Sequence, residues 1–136
     1  MTIKLALKAS GIWLIMVVMA IVNGVFREKV LLPNLGQNIA LPLSGTMLSF
    51  FIFLIAYLAA PYFGKNDGIT FIFIGLQWVS MTLLFEFLFG HYVSGKSWRE
   101  IFQVFNILKG NLFIFALVIS LGSPFFAAKL RGFLLQ

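Results

Sequence analysis

The chain contains no cysteine, a single histidine and only four acidic residues. Without cysteine it can form no disulfide, no iron–sulfur cluster and no thiolate metal site. With His91 as the sole histidine, a multi-histidine metal site is excluded as well. No metal and no cofactor are therefore expected. Charge is scarce altogether: 10% of the 136 residues are charged and 61% are hydrophobic, whereas soluble domains carry roughly 25% charged residues. A core able to hide so much apolar surface from water would need a far longer chain. The composition points to a bilayer, and the length allows one domain.

The formal net charge is +6, but the cations are scattered singly or in pairs. No basic run alternates with stacking aromatics, so nucleic acid is not an expected partner. In a membrane protein, such lysines and arginines sit at helix ends and meet lipid headgroups. Lys4 and Lys8, ahead of an apolar stretch from Gly11 to Val22 with a small residue at Ala20, have the form of a secretory signal. That segment is read instead as the first membrane helix.

A helix needs about 20 apolar residues to cross a hydrocarbon core of about 30 Å. Four segments qualify, at 5–26, 39–63, 69–92 and 111–128. Turn signals separate them: Pro33-Asn34-Leu35-Gly36, then Gly64 to Gly68, then Ser94-Gly95-Lys96. The expected fold is all-α, an integral membrane four-helix bundle. Ser97-Trp98-Arg99-Glu100 fits a capping box, in which Ser97 accepts from the Glu100 amide and the Glu100 side chain returns to the Ser97 amide. A helix from Trp98 to Ala128 would measure about 46 Å, more than the core. The part at 98–109 is therefore read as an interfacial lead-in to the fourth helix, with a bend near Gly110. On it, Arg99, Gln103 and Asn106 share a face opposite Ile101, Val104, Phe105 and Leu108.

Each span also carries small residues at helical spacing, among them Ala9, Ala20 and Asn23; Gly45, Ser49, Ala56 and Ala60; Gly75, Thr82 and Gly90; and Ala116, Ser120, Ser123 and Ala127. Helices in lipid associate by close approach of such residues, so these stripes mark the faces turned into the bundle.

Glu86 lies on the stripe of the third span, four residues from both Thr82 and Gly90. A lipid-facing carboxylate at depth costs several kcal/mol, so intramembrane acids usually turn inward and pair. Arg27, one turn beyond Asn23 on the first span, is the natural partner, with Arg99 as the alternative. Two further readings compete: Ile69 to Phe85 already covers about 25 Å, which allows Glu86 to snorkel among headgroups, or Glu86 belongs to a site that binds or moves something. For His91 the expected role is that of an interfacial residue at a helix end.

The pieces Asn23-Gly24 with Arg27-Glu28, Phe85-Glu86-Phe87 followed by Gly90, Tyr92, Gly95 and Trp98, and Asn106 with Lys109-Gly110, resemble a group of small four-span prokaryotic membrane proteins of unassigned function. The resemblance implies a bacterial or archaeal inner membrane and brings no activity with it. Lysines and arginines divide equally between the two sides. Glu28, Glu86 and Glu100 lie on the side away from the termini and engage some of its cations, which favours cytoplasmic termini.

The leading functional expectation is a small membrane-embedded binding or accessory protein whose polar pocket near one interface is built from Asn23, Arg27, Glu86, Arg99, Gln103 and Asn106. Membrane lipid or another amphiphile would be its ligand, and a second copy or another membrane protein its further partner. The alternative is a small oligomeric transporter or channel using Glu86. Size and a single membrane acid resemble the small multidrug exporters, although their acid lies in the first helix, where this chain has none. Catalysis is the weakest reading: five positions apart on a helix, Glu86 and His91 diverge by about 140°. No Ser-His-Asp set or phosphate loop accompanies them. The four-span reading predicts that reporter fusions after Lys65 and Gln136 report one side of the membrane and fusions near Asn34 and Gly95 the other; disagreement within either pair would overturn it.

Overall fold

In lipid every backbone N–H and C=O must be satisfied within its own segment, so apolar runs bounded by glycine become long helices. The computed structural model of the chain describes residues 2–93, 95–103 and 112–135. Helix α1 spans Ile3–Phe26, capped by the Thr2 hydroxyl, which accepts from the Leu5 amide at 3.2 Å. It continues through a π-helical turn at Arg27–Leu31 into the short α2, Leu32–Leu35. Helix α3 is Gln37–Phe63, and α4 is Gly68–Leu88 followed by a second π turn at Phe89–Val93. Helix α5 is Trp98–Phe102 and α6 is Phe113–Arg131. Four helical stretches, Ile3–Leu35, Gln37–Phe63, Gly68–Val93 and Phe113–Arg131, are long and apolar enough to cross a membrane. The fold is an all-α four-helix bundle.

One expected turn is replaced by helix. Pro33-Asn34-Leu35 continues the first span, and the chain breaks only at Gly36, where φ is +79°. Pro33 follows a helical Leu32 (φ −63°, ψ −49°) and so lies within the continuous helical stretch. The Asn34 amide reaches back to the Val30 carbonyl at 2.7 Å. The capping box at α5 is present in a variant form. Ser97 Oγ accepts from the Glu100 amide at 3.2 Å, while the Glu100 carboxylate accepts from the Ser97 hydroxyl, also at 3.2 Å, rather than from its amide. Of the lead-in, Trp98 to Gln103 is described; its remainder, with Asn106 and the bend near Gly110, lies outside the described residues.

Around the bundle α1 neighbours α3, α3 neighbours α6, α6 neighbours α4, and α4 closes the ring against α1. The ends of the chain meet at one end of the bundle. There the Lys8 ammonium donates to the Tyr62 carbonyl at 3.3 Å and the Asn66 amide donates to the Phe133 carbonyl at 3.2 Å. Two short strands, β1 (Asn66–Asp67) and β2 (Leu134–Leu135), pair in parallel at the same place. Asp67 also caps α4, and the hydrogen bonds it accepts from the Thr70 hydroxyl and amide hold its carboxyl below the usual carboxylate range. We call this the terminal end and the opposite one, with Gly36 and Lys96, the far end.

The interior is lined by the small-residue stripes together with a few large side chains, chiefly Trp78, Phe71 and Ile74, all 0% exposed. The closest approach is between α4 and α6: a Cβ on Gly75 would lie 2.0 Å from the Leu121 carbonyl oxygen. Prolines inside helices free carbonyls one turn earlier. Pro61 frees that of Tyr57, which the Arg131 guanidinium fills at 2.9 Å while lying 4.8 Å from the centre of the Tyr57 ring. Overpacking costs about 1 to 3 kcal/mol where side chains can yield, and here the obstacle is backbone. Gly75→Ala is thus expected to lower thermal stability in detergent by at least the upper part of that range. Gly11→Ala, whose Cβ meets nothing within 4 Å, is expected to leave it unchanged.

Candidate functional site

The two helices that run in the same direction, α1 and α4, are fastened to each other through their terminal halves. Trp78 Nε1 donates to the Ala9 carbonyl at 2.9 Å, and Gln77 Nε2 donates to the Ala6 carbonyl at 3.0 Å and the Ser10 hydroxyl at 2.9 Å. One turn on, Trp13 Nε1 donates to the Thr82 hydroxyl at 2.9 Å, and the Trp13 ring meets Phe85 edge-on at 6.0 Å. Beyond Phe85 a space of about 680 Å³ opens between the helices, bounded by Ala20, Gly24, Arg27 and Lys29 on one side and Phe85, Glu86 and Phe89 on the other.

On the other flank α1 is clasped to α3. The buried Asn23 side chain donates through Nδ2 to the Ser44 carbonyl at 3.2 Å and accepts from the Ser44 hydroxyl at 2.5 Å. Both polar side chains are thereby satisfied in a place where an orphaned group would cost about 1 to 3 kcal/mol. Above the clasp lies a mixed polar cavity of about 360 Å³, lined among others by Asn23, Arg27, Glu28, Gln37, Glu86 and Lys96. Below it a narrower space of about 90 Å³ runs inward between Met16, Leu48, Ile52, Thr82 and Leu117. Glu86 and Ala20 line all three spaces. The half-buried carboxylate thus stands where a polar vestibule, a lateral opening and an apolar shaft meet.

The sequence places an ion pair between Glu86 and Arg27 or Arg99; the structure has a different pairing. Arg27 Nε lies 3.5 Å from Glu28 Oε1, its neighbour in sequence. The alignment makes no hydrogen bond, and Nε is buried without an acceptor among the described residues. The guanidinium folds back over Gly24, 3.8 Å from where a Cβ would stand. No cation is paired with Glu86 among the described residues. Arg99 and Gln103 are exposed on α5 and do not line the cavity, since the buried side of that helix is Ile101, packed on Gly90. Asn106 lies outside the described residues. Of the six expected residues, Asn23, Arg27 and Glu86 share one cavity.

Lys96 also lines that cavity, a role that the sequence, placing it only in a turn, did not give it. Its backbone is held on both sides. The Lys96 amide donates to the Gly90 carbonyl at 2.9 Å and its carbonyl lies 2.9 Å from His91 Nδ1, while the His91 ring stacks on Trp98 at 3.9 Å. His91 is thereby a positioning residue for Lys96. The only signals in the sequence were turn residues, Gly95 with φ +71° and the flanking serines.

Among the described residues no three His, Asp or Glu side chains gather as a metal site. Compared with protein-family models, curated proteins and solved structures, the chain matches none. The clasp itself is testable. Asn23→Ala and Ser44→Ala should each destabilise the protein in detergent, and the double variant should cost less than the sum, with a coupling of about 0.5 to 2 kcal/mol. Strict additivity in a thermal unfolding series would show that the clasp carries no stability.

Proposed function

We propose that the protein binds the headgroup of a membrane amphiphile at the far end of the bundle, with the apolar tail leaving between α1 and α4. One observation carries this reading: Glu86 is a common wall of the polar vestibule, the lateral opening and the apolar shaft. A soluble polar ligand has no use for the apolar shaft, and an apolar ligand none for Arg27, Glu86 and Lys96. An amphiphile uses both. The dimensions agree, since pockets for small ligands usually measure about 300 to 1,000 Å³. Outside the lateral opening an apolar groove lined by Trp13, Met81, Leu84, Phe85 and Leu88 runs along α4 and offers a bed for an acyl chain. The setting we propose is a prokaryotic inner membrane with both termini in the cytoplasm, so that the vestibule opens to the opposite interface.

Mass spectrometry of gently extracted protein provides the test. The native chain should retain lipid or another amphiphile through purification, and Arg27→Gln or Glu86→Gln should lower retention about tenfold or more, as expected when a hydrogen bond to a charged group is lost. Purification free of any amphiphile, with retention unaffected by either substitution, would overturn the reading. Saturable, pH-dependent uptake by vesicles containing the native chain and not Glu86→Gln would replace it with transport.

A further inference from the structure

We infer that the headgroup is a zwitterion, a phosphate beside a protonated amine, with the amine on Glu86 and the phosphate on Arg27 and Lys96. The inference rests on the amphiphile-binding reading and narrows it. Among the described residues the vestibule is lined by two cations, Arg27 and Lys96, and two carboxylates, Glu28 and Glu86. Arg27 and Glu28 lean on each other at 3.5 Å, and that pair is partly exposed, with side-chain exposures of 33% and 60%. Such contacts contribute under about 1 kcal/mol, so they yield readily to a better partner. Glu86 and Lys96 are left as one charge of each sign, both without an ion-pair partner among the described residues and both lining one cavity.

Charge of a single sign fits this arrangement poorly. An anionic headgroup without an amine would meet Arg27 and Lys96 but be repelled by Glu86. A cationic one would meet Glu86 and be repelled by the two cations. A headgroup with both charges satisfies each in turn. An independent feature fixes which end goes where: Arg27 Nε is buried and lacks a hydrogen-bond acceptor, which a phosphate oxygen would supply. Glu86 lines the apolar shaft as well as the vestibule, and an ammonium can donate to its carboxyl oxygens. The fixed backbone of Lys96, held by Gly90 and His91, makes the cationic side of the site preformed rather than recruited.

The experiment compares retention of three probes by the purified full chain: phosphatidylethanolamine, phosphatidylglycerol and soluble phosphoethanolamine, the two lipids supplied in nanodiscs of equal composition. The expected result is at least a tenfold preference for the ethanolamine lipid over the glycerol lipid. In Glu86→Gln that preference should fall to about one while glycerol-lipid binding persists. In Lys96→Gln, an exposed loop position that leaves the helices untouched, binding of both lipids should weaken together. Equal or tighter binding of the glycerol lipid by the native chain, or a preference that survives Glu86→Gln, would overturn the inference while leaving amphiphile binding intact. Retention of neither lipid would overturn both. Soluble phosphoethanolamine bound as tightly as its lipid would uphold the zwitterion and assign it to a free small molecule instead of a membrane lipid.

Discussion

Everything at the far end of this bundle depends on how α1 is attached to α4. Apolar contact gives helices in a bilayer no advantage over lipid, so their association rests on close packing and on hydrogen bonds such as Trp78 to Ala9, Gln77 to Ala6 and Trp13 to Thr82. All three lie in the terminal half of the pair. Past Phe85 no hydrogen bond between side chains of α1 and α4 is found among the described residues, and the charged Arg27 and Glu86 line the space between them. The cavity is the unfastened half of a parallel helix pair.

The other three contacts in the ring are firm by comparison. Gly75 lets α4 sit directly on the backbone of α6, Asn23 and Ser44 lock α1 to α3, and Gly45 brings α3 against Leu112 at the start of the fourth span. Because these approaches are fixed by missing or small side chains, the walls of the vestibule cannot close by a modest shift. A site built this way is fixed at its base and open at its side, as the proposed amphiphile would require.

Much of this was legible in the sequence, for reasons specific to membranes. Length and apolarity mark spans directly, and the small-residue stripes, from Ala9 to Ala127, turned inward as the packing argument requires. The same argument placed Asn23, Arg27 and Glu86 on facing surfaces, and the three do share a cavity. What was hidden was three-dimensional. Helical spacing cannot tell that Glu28 rather than Glu86 will stand beside Arg27. Nor can a loop sequence announce that Lys96 is folded back by a backbone bond to Gly90 and a ring nitrogen of His91. Arg99 was misplaced for a simpler reason: α5 docks through Ile101, which turns its polar side to the exterior. Pro33 signalled a turn because proline disfavours the helical region for the residue before it, yet Leu32 is helical here (φ −63°, ψ −49°) and the span continues to Gly36.

The two π turns have a consequence for how such a chain can vary. Each closes its hydrogen-bonded ring over one residue more than an α turn does, and both occur at the far end, Arg27–Leu31 after α1 and Phe89–Val93 after α4. Removing one residue from either would let the segment relax to ordinary α-helix, and because the π turn absorbs one extra residue the segments beyond it would keep nearly their present direction. The transmembrane halves would keep their register, and only residues inside the turn, Lys29 or His91, would take a new direction. Among related chains, gains and losses of single residues should therefore collect at these two places, altering the rim of the vestibule while leaving the bundle beneath it unchanged.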